Sequence, residues 1–236
     1  MIMISNQPKH ASGGLALYIY VLLAVLFTTA LVVCNLIANR FVHVDLGFHT
    51  FVLSAGVLPY PITFLVTDIL SEIYGKKAAN RVVLAGFAAL VFTMFILWIA
   101  QQFPAIENSR VSDDLFQQTF GNSRRVIIAS MTAYLIAQFV DVRLFHFWKR
   151  ITGGKMLWLR NNASTVFSQL LDTTLVVAVL FVGELSIETM GGYVLDGWSF
   201  KALTALADTP FLYLSTWLIR SGLGLKFGEE VKWPNQ

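Results

Sequence analysis

The sequence predicts an all-α integral membrane protein, a bundle of about six transmembrane helices. Of its 236 residues, 56% are apolar and only 13% are charged, whereas a soluble domain carries about 25% charged residues. The mean hydropathy is +0.65. Two stretches, 11–39 and 82–106, contain no charged residue, and each exceeds the length of about 20 residues that a helix needs to cross the hydrocarbon core. We expect residues 1–236 to form a single transmembrane domain.

The apolar runs predict where the six spans lie. They cover residues 15–38, 46–69, 82–103, 126–147, 163–182 and 200–219. Pro59 and Pro61 fall inside the second span and Pro210 inside the sixth. Because proline removes a backbone donor and clashes with the preceding turn, both spans are expected to be kinked. The polar segment 107–118 predicts a short surface helix between the third and fourth spans.

The basic residues indicate the orientation of the bundle. Twelve of the 17 Lys and Arg residues lie in the two terminal tails and in the loops after the second and fourth spans. The five on the opposite side include Arg40 and Lys201. Since Lys and Arg concentrate in cytoplasmic loops, both termini are expected to be cytoplasmic, in a multi-pass protein of the bacterial inner membrane.

Several functions are disfavoured by what the sequence lacks. It has no G-x-x-x-x-G-K-[ST] loop, so ATP hydrolysis by that route is excluded, and energy must come from a gradient or from a partner subunit. The single Cys34 excludes an intramolecular disulfide, and no Cys/His spacing resembles a zinc site. We therefore expect no metal and no cofactor. The net charge of +3 does not indicate nucleic acid binding, because the basic residues lie between spans.

Two copies of one local pattern place carboxylates deep in the fourth and fifth spans. Gln138 precedes Asp141 by three residues, and Gln169 precedes Asp172 by three, so each amide shares a helix face with its carboxylate. A charge at mid-bilayer is costly, so intramembrane carboxylates face the bundle interior or a wet cavity. Each pair indicates either a substrate site or a hydrogen-bonded contact between helices. The repetition favours the substrate site.

The second span supplies further candidates next to its predicted break. Tyr60 and Phe64 flank Pro61 and offer flat rings on which a ligand could stack. Discontinuous helices often form the binding sites of transporters. The break therefore favours a site at Tyr60 and Phe64.

Asp68 is a further candidate for the substrate site, and the weaker candidates are polar residues near the span ends, namely Thr67, Glu72, Asn35 and Asn39. Asp68, with Thr67 beside it, lies four residues before Glu72 on the same helix face. Glu72 is equally well explained as a boundary residue near basic side chains. Asn35 and Asn39, also four residues apart, are typical of simple helix termination.

Depth relates the carboxylates to one another. In the expected orientation, Asp68 and Asp141 fall in the inner halves of their spans, and Asp172 lies close to the midplane at a rise of about 1.5 Å per residue. We expect the three to surround one cavity that opens to the cytoplasm.

Several motifs resemble those of the queuosine precursor transporters. The resemblance extends over about residues 15–225, and its motifs are C-N-L-I-A-N-R at 34–40, Y-P-I-T-F at 60–64, T-D-I-L-S-E-I-Y-G at 67–75, L-W-L-R-N-N at 157–162, Q-L-L-D-T at 169–173 and Thr209-Pro210. That family more often has Lys where Arg40 stands and a neutral residue where Asp208 stands. The resemblance implies import of 7-deazaguanine bases, the 7-cyano and 7-aminomethyl precursors of the tRNA nucleoside queuosine.

The chemistry of such a purine-like cargo matches the candidate residues. A guanine edge offers N1–H and an exocyclic amine, which one carboxylate accepts together, and its carbonyl accepts from an amide. Adenine would leave those groups unpaired, which is costly in a dry site. We hypothesise that Asp172 with Gln169 reads this edge. Asp141 with Gln138 would shape the same cavity or handle a proton.

Two other functions remain open to test. One is a substrate-capture subunit of an ATP-driven vitamin-type importer, which would need a partner to move its cargo. The other is an intramembrane hydrolase, since paired aspartates can activate water. The Q-x-x-D pattern puts an amide where an aspartyl enzyme needs an acid, so we expect no enzyme. The sequence leaves open whether the chain forms a homo-oligomer.

Overall fold

The computed structural model describes residues 12–38, 40–47, 49–121, 124–181, 183 and 185–231. These residues form seven α-helices and one antiparallel β-hairpin. In chain order the elements are α1 (Ser12–Leu36), β1 (Phe41–Asp45), β2 (Thr50–Ser54), α2 (Tyr60–Ile73), α3 (Lys76–Ala100), α4 (Asp113–Phe120), α5 (Arg124–Ile151), α6 (Leu157–Phe181) and α7 (Ile187–Leu223).

The architecture confirms the predicted helical membrane bundle. Within the described ranges, three segments are long and apolar enough to cross a membrane: Gly14–Leu36, Ala55–Ile73 and Lys76–Ala100. Helices α5, α6 and α7 have 28, 25 and 37 residues, and at about 1.5 Å per residue each exceeds the thickness of the hydrocarbon core. These three carry more polar residues, many of which are buried inside the bundle. Apolar side chains of α1 and α3 are instead exposed, as a lipid-facing surface requires.

Two hydrogen bonds show which helix ends lie together at one end of the bundle. The Tyr74 hydroxyl, just after α2, donates to the Ala16 carbonyl at the start of α1 over 2.8 Å. The Val231 backbone N–H donates to the Ile73 carbonyl over 2.8 Å. We call this end, where the start of α1 and Val231 meet the end of α2, the terminal end, and the opposite end, which carries β1 and β2, the hairpin end. That the terminal end faces the cytoplasm stays a prediction.

The predicted second span, 46–69, is wrong in its first half. Residues 41–54 form the hairpin instead, with Phe41 paired to Ser54 and Asp45 to Thr50. Asp45 accepts a hydrogen bond from the Gly47 N–H over 2.9 Å, and Gly47 has a positive φ of 82°, which favours glycine because it lacks a Cβ. The β-branched and aromatic residues of both strands favour extended backbone. The apolar run that predicted a transmembrane helix here therefore forms strands instead.

The predicted kink in the second span is also wrong. A 3-10 turn at Ala55–Val57 leads into α2, Pro59 is the N-cap, and Pro61 lies in the first turn. A proline there interrupts no helical hydrogen bond, because the first N–H groups have no partner inside the helix. The prolines therefore start the helix. Pro210 does lie inside α7, and a kink there stays a prediction.

Helices α6 and α7 begin earlier than the predicted spans. The fifth and sixth spans were expected from residues 163 and 200, whereas α6 starts at Leu157 and α7 at Ile187. The α7 start is capped by the Ser186 hydroxyl, which accepts from the Thr189 N–H. Arg160, which was assigned to a loop, consequently lies within α6, and Lys201, which was counted as an outer-side charge at the start of the sixth span, lies well inside α7. The predicted surface helix is confirmed as α4, which buries none of its residues.

Candidate functional site

A tyrosine, an aspartate and a lysine from three helices meet inside the bundle. Both the Tyr60 hydroxyl on α2 and the Lys201 ammonium on α7 donate to Oδ2 of Asp172 on α6, each over 2.8 Å. Lys201 also donates to the Thr173 hydroxyl over 3.2 Å, and its nitrogen lies 4.5 Å from the centre of the Tyr60 ring. The Asp172 and Lys201 side chains are only 4% and 11% exposed. We call these three residues the Asp172 group.

The Asp172 group assembles because of where α2 begins and which face of α6 is buried. Pro59 and Pro61 fix the first turn of α2, and Tyr60 therefore projects at the hairpin end. Asp172 lies on the α6 face that also carries Gln169, as the three-residue spacing predicts. The Trp198 indole N–H donates to the Val166 carbonyl over 3.0 Å, which binds α7 to α6 just before Lys201.

The Asp172 group borders a cavity of about 170 Å³ in the hairpin-end half of the bundle. Its walls come from α1, the 3-10 turn, α2, α3, α5, α6 and α7. The lining residues are Cys34, Asn35, Ala38, Ser54, Gly56, Val57, Tyr60, Leu90, Met131, Tyr134, Asp172, Val176 and Lys201. No described residue donates a hydrogen bond to Oδ1 of Asp172. The cavity therefore presents one oxygen acceptor, one ammonium and two tyrosine rings to a small ligand.

A narrow space on the other side of Tyr60 and Lys201 holds Gln169. This space measures about 10 Å³ and is also lined by Phe64 and Asp208. Gln169 is 1% exposed, and neither its amide oxygen nor its amide nitrogen has a hydrogen-bond partner among the described residues. Buried polar groups are nearly always paired, so an unpaired amide is a candidate for binding a ligand or water.

The other predicted carboxylates lie farther toward the terminal end. Asp68 and Asp141 are fully buried, and they interact electrostatically with each other. Ser168 on α6 donates to Oδ1 of Asp141 over 3.0 Å. This contact between α5 and α6 is expected if the Q-x-x-D pairs serve as hydrogen-bonded contacts between helices rather than as a substrate site. Gln138 is also fully buried on α5.

The structure does not place the three aspartates around one cavity. Of these three aspartates only Asp172 lines the 170 Å³ cavity, and that cavity lies in the hairpin-end half, away from the terminal end. Neither oxygen of Asp68 has a hydrogen-bond partner within the described ranges. Asp68 and Asp141 thus form a separate buried layer between the cavity and the terminal end.

The remaining candidates have local partners or lie elsewhere. The Thr67 hydroxyl bonds to carbonyls of its own helix, and the Asn35 amide donates to the Leu31 carbonyl over 2.9 Å, although Asn35 also lines the cavity. Glu72 lies at the terminal end, where it pairs with basic side chains. Asn39 is outside the described residues. In the part of the chain that the structure describes, no cluster of three or more His, Cys, Asp or Glu could hold a metal.

Sequence reasoning missed three residues that the structure places at these sites. Arg160 was assigned to a loop, Lys201 was counted as an outer-side charge at the start of the sixth span, and Tyr134, which lines the cavity, was not considered. The signal for Lys201 was the helix start at Ser186 with Glu188 in the first turn, a typical capping pattern that extends α7 through Lys201.

Comparison with known proteins gives consistent matches. Residues 54–215, which include the whole Asp172 group, match the family described as "Putative vitamin uptake transporter". A Bacillus subtilis protein named "Probable queuosine precursor transporter" is 31% identical over 166 residues, which cover 70% of this chain and 72% of the relative.

Two further relatives match over shorter lengths. The "Queuosine precursor transporter" of Escherichia coli is 32% identical over 139 residues, 54% of this chain and 53% of that protein. A "Probable queuosine precursor transporter" of Haemophilus influenzae is 30% identical over 140 residues, 58% and 54% of the two chains. No solved structure matches this chain.

Proposed function

This chain belongs to the queuosine precursor transporter family, and we propose that it imports 7-deazaguanine bases, the 7-cyano and 7-aminomethyl precursors of queuosine, across the bacterial inner membrane. The observation that carries this proposal is the Asp172 group on the wall of a partly open cavity. A volume of about 170 Å³ lies below the range of drug-sized sites and suits one small planar base.

Asp172 is the residue that reads the guanine-like edge of the cargo. Its Oδ2 is held by Tyr60 and Lys201, which fixes the carboxylate and leaves Oδ1 directed to the ligand. Oδ1 accepts from the exocyclic amine or N1–H of the base. The ring of the base packs against Tyr60 or Tyr134, both of which line the cavity.

Gln169 completes the recognition of the edge. Its unpaired amide lies one helical turn from Asp172 and can donate to the carbonyl of the base once the narrow space beside it widens. Adenine offers an amine where guanine has this carbonyl, so it would leave the Gln169 N–H groups unpaired. The site therefore discriminates by hydrogen bonds.

The buried layer of Asp68, Asp141 and Gln138 continues the polar path from the cavity toward the terminal end. An isolated charge inside the bilayer is costly and marks a transport path by default. We assign this layer to passage of the cargo, or of a coupled proton, after release from Asp172. Its interhelical contact through Ser168 also stabilises the bundle.

Uptake by proteoliposomes that contain only this chain tests the function. We expect labelled 7-cyano-7-deazaguanine to accumulate above empty liposomes and to be recovered chemically unchanged, with guanine as competitor and adenine without effect. A parallel assay with an imposed pH gradient reveals proton coupling. Uptake seen only in cells that supply an ATP-driven partner would instead support the capture-subunit alternative.

A matched pair of variants tests the role of Asp172. Asp172→Asn keeps the shape of the side chain but converts an acceptor into an amide, and we expect uptake to fall by about tenfold or more, since hydrogen bonds to charged groups are strong. Asp196→Asn makes the same change on an exposed part of α7 and should leave uptake unchanged. Equal uptake by both variants, at equal membrane amounts, would contradict this role.

A further inference from the structure

The ammonium of Lys201 is a fixed positive charge at the wall of the cavity. Three contacts hold it: Oδ2 of Asp172 at 2.8 Å, the Thr173 hydroxyl at 3.2 Å and the face of the Tyr60 ring at 4.5 Å. Because the side chain is only 11% exposed, little solvent screens this charge. Any cargo in the cavity therefore meets a cation that already occupies the nearest carboxylate.

No second carboxylate lies in contact with Lys201 among the described residues. Asp208 is on the same helix, seven residues away, which is a rise of about 10 Å. The Lys201–Asp172 pair is thus close to neutral as a unit. Among the described residues that line the 170 Å³ cavity, a second cation finds no carboxylate besides Asp172, because Asp208 borders the separate narrow space beside Gln169.

We propose that Lys201 makes the site select the neutral 7-cyano base over the cationic 7-aminomethyl base. This inference rests on the proposed function and names the precursor that the cavity prefers. The aminomethyl group is an aliphatic amine and is protonated at neutral pH. In the proposed pose Asp172 already pairs with the edge of the base, so this ammonium either lies near the like charge of Lys201 or displaces Lys201 from Asp172 and leaves a buried ammonium unpaired.

A neutral base avoids both costs. Lys201 has three N–H donors, of which Asp172 and Thr173 take two. The third is available to the nitrile or the carbonyl of the cargo. The neutral base thus gains a charge-assisted hydrogen bond and leaves the Lys201–Asp172 pair intact.

Competition for uptake measures this preference. Proteoliposomes take up labelled 7-cyano-7-deazaguanine in the presence of unlabelled 7-aminomethyl-7-deazaguanine or of 7-deazaguanine, a neutral base without a substituent. For the wild type we expect the aminomethyl base to compete about tenfold less well than the neutral one. A wild type on which both compete equally overturns the inference while leaving the proposed function intact, whereas absence of uptake of any base overturns both.

Variants of Lys201 separate its charge from its size. Lys201→Met removes the charge and frees Asp172 to bind the ammonium, so competition by the aminomethyl base should improve by about tenfold relative to 7-deazaguanine. Lys201→Arg keeps the charge and should keep the wild-type order. Lys155→Met, at an exposed loop position, is the matched control and should also keep it.

Lys201→Met leaves Asp172 unpaired and could fail to fold, so a double variant provides a second test. The double variant Lys201→Met/Asp172→Asn buries no charge at this position, and its remaining uptake should not distinguish cationic from neutral bases. An unchanged preference for the neutral base in either Met variant would overturn the assignment to Lys201.

Discussion

The guanidinium of Arg160 lies 2.9 Å from the carboxylate of Glu72, and both side chains are almost completely buried. Arg220 reaches the other oxygen of Glu72 over 2.8 Å, and Lys149 lies 3.5 Å away. Glu72 therefore joins α2, α5, α6 and α7 at the terminal end. Lys149 in turn pairs with Glu230 over 2.8 Å, so the C-terminal segment belongs to the same network.

Neutralising Glu72 should destabilise the protein strongly. Glu72→Gln leaves the buried Arg160 and its neighbours without their counter-ion, and breaking a buried ion pair costs about 3–5 kcal/mol. Thermal unfolding in detergent should show a large decrease in Tm. Glu230→Gln breaks only the contact of a 43% exposed carboxylate with Lys149, which is worth about 1 kcal/mol or less. Equal Tm values for both variants would contradict this ranking.

Removing the Tyr60 hydroxyl should weaken transport without unfolding the site. Tyr60→Phe keeps the ring beneath Lys201 but loses the 2.8 Å hydrogen bond to Asp172, so the carboxylate is less well fixed. We expect uptake to fall by about fivefold to tenfold, the effect of one hydrogen bond to a charged group. Tyr18→Phe, at a lipid-facing position that is 65% exposed, should have no effect. Wild-type uptake by Tyr60→Phe would show that this hydroxyl is dispensable.

A methyl group at Gly56 should disturb both stability and the cavity. A Cβ there would lie 2.4 Å from the Cys34 carbonyl oxygen and 3.2 Å from the Ala38 Cα, both of them backbone atoms. The 3-10 turn would have to move away from α1, and Gly56 also lines the cavity. We expect Gly56→Ala to lower Tm by several degrees and to reduce uptake.

Gly191 provides the matched substitution for Gly56. A Cβ at this position in α7 meets nothing within 4 Å. Gly191→Ala should therefore be neutral or stabilise the helix by up to about 1 kcal/mol. A similar decrease in Tm for the two variants would mean that the close approach at Gly56 is not the cause.

Replacing Gln169 by an apolar residue should separate stability from transport. Gln169→Leu removes an amide whose atoms have no partner among the described residues, so we expect an unchanged or slightly higher Tm. Uptake should nevertheless fall by about tenfold, because the carbonyl of the base loses its donor. Gln117→Leu, on the exposed surface of α4, should leave uptake unchanged. A lower Tm with normal uptake would assign Gln169 a purely structural role.

The sequence determined the membrane bundle and part of the candidate site. The uncharged stretches 11–39 and 82–106 became α1 and α3 because burial in lipid depends mainly on local composition. The Q-x-x-D spacing correctly placed Gln169 and Asp172 on one helix face, since the helical period is fixed by backbone geometry. The first half of the second span was wrong because an apolar run alone does not distinguish strand from helix.

Only the tertiary structure decided which charges meet. A charged residue inside a membrane helix is tolerated only when a partner neutralises it. The partners of Lys201 and Arg160 are distant in sequence, so the local pattern did not place these residues inside the bundle. For Lys201 that partner is Asp172, 29 residues away, and for Arg160 it is Glu72 on α2. Local pattern sets where helices form, but the packing of α2, α6 and α7 against one another sets the charges on the cavity wall.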